Sequence, residues 1–359
     1  MVFGGRSERA PWCTGGPLLA ATLLAALVAF TGASRAAEGA APARESDGRL
    51  LVLNQKDGTL MVFDEPSHAL LATVPVGREP REVVATLDGR KAYVVNGGDP
   101  SLSVVDLLHY KVERSLRPDQ LREPRGLAVS PGRGVVLTSG GSHRLFLLDA
   151  ARDVVERVIT TNQSGAGFLA LTHGGDRAWV ANRGSDSVSL VEIPSLKTLK
   201  TLPVGPAPEG VAASSNGRWV VVALQGAGQV AILDTSRTQV VTRLPAGQAP
   251  SRVACAPKAP LAVVTNRLSD DVSILDIAGR HLVATVPVGR CPGGVAINTR
   301  GTKAYVANSE SNSVSIVSLP GYEVTGQIPT GAGPEGIAFV PPPAAPSPPR
   351  ATRTGRRPS

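Results

Sequence analysis

Five histidines, three cysteines and 4% aromatic residues leave a chain of 359 residues with little material for metal or haem chemistry. No two of His68, His109, His143, His173 and His281 stand at ligand spacing, which excludes a multi-histidine copper centre. No Cys-x-x-Cys-His segment is present to attach a haem covalently. The carboxylates are many, but none is singled out as a tuned acid or base, and no serine is marked as a nucleophile. The sequence therefore predicts no catalytic residue, no metal ligand and no cofactor. Helical periodicity is also missing. Charge is scarce at 18%, and the formal net of +8 is concentrated at the ends. Arg6, Arg9 and Arg35 stand against Glu8 in residues 1–36, and Arg350, Arg353, Arg356 and Arg357 stand beyond Val340. Setting both ends aside leaves a net charge of about +2, which supports no basic stripe for nucleic acid.

What the sequence does contain begins with an export signal over residues 1–36. Arg6 and Arg9 precede an apolar run from Pro17 to Phe30, and Ser34-Arg35-Ala36 offers small residues at the cleavage positions. An uncleaved anchor is the alternative, since the uncharged stretch from Thr14 to Ser34 nearly suffices to span a bilayer. Cys13 lies before the apolar core, badly placed for lipid attachment. After cleavage no transmembrane segment remains. Residues 37–45 serve as a linker. At the other end, residues 341–359 form a Pro-rich, basic tail that has little apolar area to bury and is predicted to be disordered.

Between these ends one template recurs seven times. A proline returns at Pro80, Pro124, Pro208, Pro250, Pro292 and Pro334, with Ala166 in the remaining slot; the spacing is 44 once and 42 otherwise. Three residues later stands Val83, Leu127, Leu169, Val211, Val253, Val295 or Ile337. A second apolar run ends in asparagine, as in Tyr93-Val94-Val95-Asn96, Trp179-Val180-Ala181-Asn182, Val263-Val264-Thr265-Asn266 and Tyr305-Val306-Ala307-Asn308, with Asn54 closing an equivalent run. Gly140 and Leu224 take the asparagine position in the two departing copies. A third run ends in an acid, as at Asp106, Asp149, Asp234 and Asp276, and a fourth closes the unit, as in Ala72-Thr73-Val74-Pro75-Val76-Gly77. Four short strands rich in Val, Ile, Leu and Thr in about 42 residues make the unit of a β-propeller blade. The chain enters at Ser46-Asp47-Gly48 with strands two to four of a blade and ends on a lone first strand at Pro334–Val340. Pairing the two closes the ring and leaves no free sheet edge. The prediction is an all-β fold over residues 46–340: a seven-bladed propeller with four antiparallel strands per blade, its ring closed by the C-terminal strand joining the N-terminal blade.

The repeated tetrapeptide resembles that of the YVTN-type β-propeller repeat family, which includes surface-layer-like and lactonase-like seven-bladed propellers. The resemblance covers residues 46–340. It implies an exported protein of the periplasm or cell surface, and it is specific for fold rather than for activity.

In a propeller the first strands line the central channel, and the blade-connecting loops share one face with the loops between second and third strands. Residues present in most blades, such as the five asparagines and the prolines, serve the fold, the asparagines by bonding local backbone. Function belongs where the symmetry breaks. The residue after each proline slot forms a ring at the channel mouth, whose side chains are Arg81, Arg125, Glu209, Ser251 and Glu335, with Gly167 and Gly293 between them. The third blade diverges most, with an insertion near Asp119-Gln120. There a patch of Arg125, His143, Arg144, Asn162, Gln163, Phe168 and Arg183 is the candidate ligand site. Cys255 and Cys291 fall near opposite ends of neighbouring inner strands, roughly 20 Å apart. A bridge needs about 7 Å, so both are expected as free thiols. The leading expectation is a monomeric binding scaffold for an envelope protein, peptide, glycan or small ligand. A lactonase-like hydrolase and an accessory protein of a periplasmic quinoprotein-type redox system are the alternatives.

Overall fold

A computed structural model describes residues 48–340, Arg133 excepted. The expected signal, linker and tail, with Ser46 and Asp47, lie outside the described residues. Among the described residues there are seven four-stranded antiparallel sheets, six of them running in sequence order from the inside out. We number the blades one to seven in chain order. Blade two, for example, consists of Pro80–Ala85, Lys91–Asn96, Ser101–Asp106 and Lys111–Leu116. Blade one takes its innermost strand from the far end: Pro334–Val340 pairs with Arg49–Asn54, setting Val340 opposite Arg49 and Pro334 opposite Asn54. Each innermost strand packs on the next around the ring. Among the described residues no helix is long and apolar enough to cross a membrane.

Burial explains the strand order. The second strands are buried along almost their whole length, as in Trp219–Leu224, because both sheet faces meet a neighbouring blade. The outermost strands alternate half-buried and exposed residues, as in Lys111–Leu116, the pattern of a strand with one wet face. The core is accordingly divided into seven seams. Leu51, Leu53, Leu60 and Val62 of blade one pack with Val83, Ala92, Val94 and Val105 of blade two. Equivalent clusters fill every other seam, including the one between blades seven and one.

The repeated polar residues secure the blades. Asn96 Nδ2 donates to Ser101 Oγ and Ser103 Oγ, both at 3.0 Å. Asn182 and Asn308 make the same pair of bonds to Ser187 and Ser189 and to Ser313 and Ser315. The asparagine serves the fold, as the repetition implies, but it ties its strand to the next through side chains rather than backbone. A glycine of the incoming blade connection lies against the amide: a Cβ on Gly289 would stand 2.6 Å from Asn308 Cγ. In blade three the position facing the proline is held by Ser139, not Gly140. The hairpin between its first two strands, Pro124–Ser130 and Gly134–Ser139, is one residue shorter, which moves the register by one. The acids closing the third strands cap the turn that follows, Asp276 Oδ1 accepting from the amides of Ala278 and Gly279 at 2.9 Å. On the same end of the molecule Tyr93 and Tyr305 donate to Asp153 and Glu65 of the adjoining blade, both at 2.6 Å. Burial, then these bonds, hold both phenols well above their ordinary pKa.

Candidate functional site

All seven innermost strands carry a β-bulge where they face the second strand. Between the proline slot and the aliphatic residue after it, the inner strand holds one residue more than its partner. A bulge locally re-aims side chains, and here it sends the first residue after the slot to the channel mouth and the second to the axis. Arg81, Arg125, Glu209, Ser251 and Glu335, the five side chains of the expected mouth ring, all line one cavity of ≈ 1180 Å³. It opens on the face of the blade-connecting loops, and its wall is completed by the residue after the asparagine position in five of the blades, namely Gln55, Arg183, Gln225, Arg267 and Ser309.

The floor of this cavity is the axis position. Around the ring that position reads Glu82, Gly126, Phe168, Gly210, Arg252, Gly294 and Gly336. The glycines are required by crowding: a Cβ on Gly126, Gly294 or Gly336 would stand 2.8, 2.5 or 2.7 Å from the backbone oxygen of the next inner strand. Only blades two, four and six place a side chain here, and the three side chains meet. Arg252 Nη1 donates to Glu82 Oε2 at 2.5 Å, and its guanidinium lies 3.2 Å from the centre of the Phe168 ring. Beneath them remains a space of ≈ 70 Å³ that they line together with Leu127, Leu169, Val211, Val253, Val295 and Ile337. Arg252, Glu82 and Phe168 thus separate the upper cavity from the lower channel, and the upper cavity is a blind cup.

Charge on the cup wall is unevenly satisfied. On one side Glu335 accepts from Arg267 Nη1 at 2.7 Å and Nη2 at 3.1 Å, and from Ser309 Oγ at 3.0 Å. Burial would push this carboxyl up, but Arg267, then Arg252 and Ser309, outweigh it and bring the pKa to about 2. Glu335 reaches Arg267 across blade seven because Gly293 occupies the intervening ring position. Glu82 goes the other way: burial raises it, Arg252 pulls it back, and nearby Glu335 raises it further. On the opposite side a single carboxylate, Glu209, serves both Arg125 at 3.5 Å and Arg183 at 3.2 Å. The Arg81 side chain pairs with Glu79, at 3.4 Å, whose own side chain is 57% exposed.

The expected third-blade patch divides. Arg125, Phe168 and Arg183 line the cup. His143, Arg144, Asn162 and Gln163 belong instead to the outer rim, because the second half of the hairpin and the exit of the outermost strand lie away from the axis. There His143 Nδ1 accepts from the Gly165 amide at 3.3 Å and Gln163 Oε1 from Ser187 Oγ at 3.2 Å. Arg144 opens the third strand opposite Ser139 and Thr160, and Asn162 is exposed with φ 55°. Glu82, Arg252 and Arg267 were not anticipated. Glu82 and Arg252 did carry a signal, since with Phe168 they interrupt an otherwise glycine-only axis position one residue beyond the ring that the sequence singled out, whereas Arg267 follows Asn266 on the wall.

Cys255 is a free thiol, half-buried against the seam between blades five and six, and burial pushes it up to about 12. Cys291 departs from expectation. It is not a free thiol but disulfide-bonded. Its sulfur also accepts from Arg267 Nη2 at 3.6 Å. Among the described residues no group of three or more His, Cys, Asp or Glu side chains is placed to hold a metal ion.

No protein-family model matches the chain. No curated protein matches it by sequence. Solved structures do match in shape. A functionally unknown protein from Desulfotomaculum acetoxidans DSM 771 superposes with a TM-score of 0.72 at 14% identity, covering 82% of this chain and 99% of that one. Hydrazine synthase of Kuenenia stuttgartiensis superposes with a TM-score of 0.69 at 22% identity, covering 76% of this chain and 93% of that one. At these identities the likeness is one of fold.

Proposed function

We propose that this seven-bladed propeller is an exported, YVTN-type binding module of the periplasm or cell surface that takes its ligand in the blind cup without transforming it. One observation carries the reading. The residues that differ from blade to blade are gathered on the wall and floor of a single cavity of ≈ 1180 Å³, while the residues shared by the blades are spent on seams, turns and strand ties. A cavity of this size suits a small molecule or one inserted side chain of a larger partner. Closure of its floor by Arg252, Glu82 and Phe168 makes it a receptacle rather than a passage. Export rests on the basic, apolar and small-residue succession of residues 1–36.

The test is retention by full-length protein in which the cup is filled. Gln55 lines the cup from the loop between the second and third strands, whereas Leu87 is 66% exposed on the hairpin at the other end of a blade. Gln55→Trp is expected to abolish retention of envelope components or small molecules identified by mass spectrometry, and Leu87→Trp to leave it unchanged. Equal retention by both variants would remove the cup from the function. A stoichiometric divalent metal together with lactone hydrolysis abolished by Gln55→Trp would move the assignment to an enzyme.

A further inference from the structure

Taking the cup as the binding site, we infer that Arg81, Arg125 and Arg183 form a subsite for a small molecule bearing a phosphate or carboxylate group. The inference begins from unequal pairing. Arg252 and Arg267 hold their carboxylates at 2.5 and 2.7 Å, at or below the short end of charge-assisted N–H···O bonds, with little capacity left over. Their side chains are only 10% and 19% exposed. The three arginines on the facing wall are different. Arg125 and Arg183 share one glutamate at 3.5 and 3.2 Å, and their side chains keep 25% and 35% exposure. Arg81 keeps 33% and pairs with the solvated Glu79, a surface contact of small energetic weight.

Unused donors point the same way. Arg81 Nε is buried and has no hydrogen-bond partner among the described residues. Arg183 Nε is likewise without one, being near Glu209 but not aligned with it, while its Nη2 is engaged by Gln225 at 2.8 Å. A guanidinium fork that is buried and part-used is matched by an oxyanion, which accepts two N–H bonds at once. The wall also positions these groups. Arg81 lies against Gly97, where a Cβ would displace it, and Arg125 packs beside Gly140, where a Cβ would stand 3.3 Å from its Nε. Arg81 and Arg125 hold the same ring position of adjacent blades, and Arg183 follows in the next blade. Three guanidiniums against one shared buried glutamate leave a positive crescent, which selects anions over neutral or cationic molecules.

The experiment uses isothermal titration of the full-length protein with inorganic phosphate, citrate and glucose at fixed chloride, followed by the Arg81→Gln/Arg125→Gln double variant. Both substitutions fall on part-exposed side chains, and unchanged melting of the unliganded variant checks that it is folded. Saturable binding of phosphate or citrate, weakened about tenfold or more in the double variant, is the expected result. The relative affinities of the two anions then separate a phosphate from a carboxylate ligand. No saturable binding of either anion, or binding that the double variant retains in full, overturns the inference. If glucose binds instead and Gln55→Trp blocks it, the anion preference is wrong and the cup reading survives. If neither anion nor glucose binds and Gln55→Trp leaves retention of envelope components unchanged, both fall together.

Discussion

Replacing Arg252 by alanine removes the residue on which the floor of the cup depends. Three side-chain contacts vanish: the 2.5 Å bond to Glu82, the 3.4 Å bond to the Arg81 carbonyl, and the cover over Phe168 at 3.2 Å. The bond from the Arg252 backbone amide to the Thr265 hydroxyl, at 3.1 Å, is kept. Leaving Glu82 as an unpaired buried carboxylate costs about 3–5 kcal/mol. Loss of the stacked guanidinium adds about 1 kcal/mol. The penalty depends on pH in a definite direction. Burial already raises Glu82 above its ordinary value, and Arg252 is the group that pulls it down. Without Arg252 its folded-state pKa rises further. A carboxyl raised in the folded state costs no stability below the unfolded value and progressively more as pH climbs from there through the folded one. Glu335 keeps Arg267 as its principal partner, so the titration belongs to Glu82. Urea unfolding followed by far-ultraviolet circular dichroism, compared at pH 8 and near pH 4, should show the loss at pH 8 and most of it recovered in acid. Glu82→Gln added to Arg252→Ala should restore about 2 kcal/mol or more at pH 8, because no charge is then buried. A loss below about 1 kcal/mol at pH 8, equal losses at the two pH values, or no recovery in the double variant would refute the account of the floor.

Two further outcomes test the frame that carries the cup. Deleting residues 331–359 removes Pro334–Val340, whose Ile337 and Val340 are 8% and 0% exposed, and leaves Arg49–Asn54 as an open inner edge. With about 1.5–3 kcal/mol for each large buried side chain and the Glu335–Arg267 pair lost as well, the deficit approaches the whole stability of a domain. The shortened chain should show no cooperative melting near the full-length transition; a coincident melt would contradict ring closure. Gly289→Ala drives a methyl to 2.6 Å from Asn308 Cγ and should cost about 1–3 kcal/mol in thermal unfolding, so wild-type stability would deny the close approach of connection and amide.

Much of the fold was legible because a repeated unit announces itself: seven proline slots, aliphatics three residues on, and an apolar run ending in asparagine cannot each bury a face alone, and stacking them in a ring buries all. The unfinished first blade and the orphan last strand specified how the ring closes. The mouth ring was legible for the same reason, since equivalent positions in equivalent blades must share a height on the axis. The floor was less so. Glu82, Phe168 and Arg252 are 86 or 84 residues apart in sequence, and nothing local says that three alternate blades send side chains to one point.

Sequence alone therefore determined the blade, the count of seven and the face on which variation collects, because these follow from periodicity and from the need to leave no strand edge unpaired. Tertiary structure decided the rest. The inner-strand bulge separates mouth residues from axis residues, Gly293 lets Glu335 reach Arg267 over an intervening blade, and Glu209 is left to serve two arginines at once. Such choices depend on distances across the ring, and ion pairs fall off or strengthen over an ångström or two that no one-dimensional spacing records.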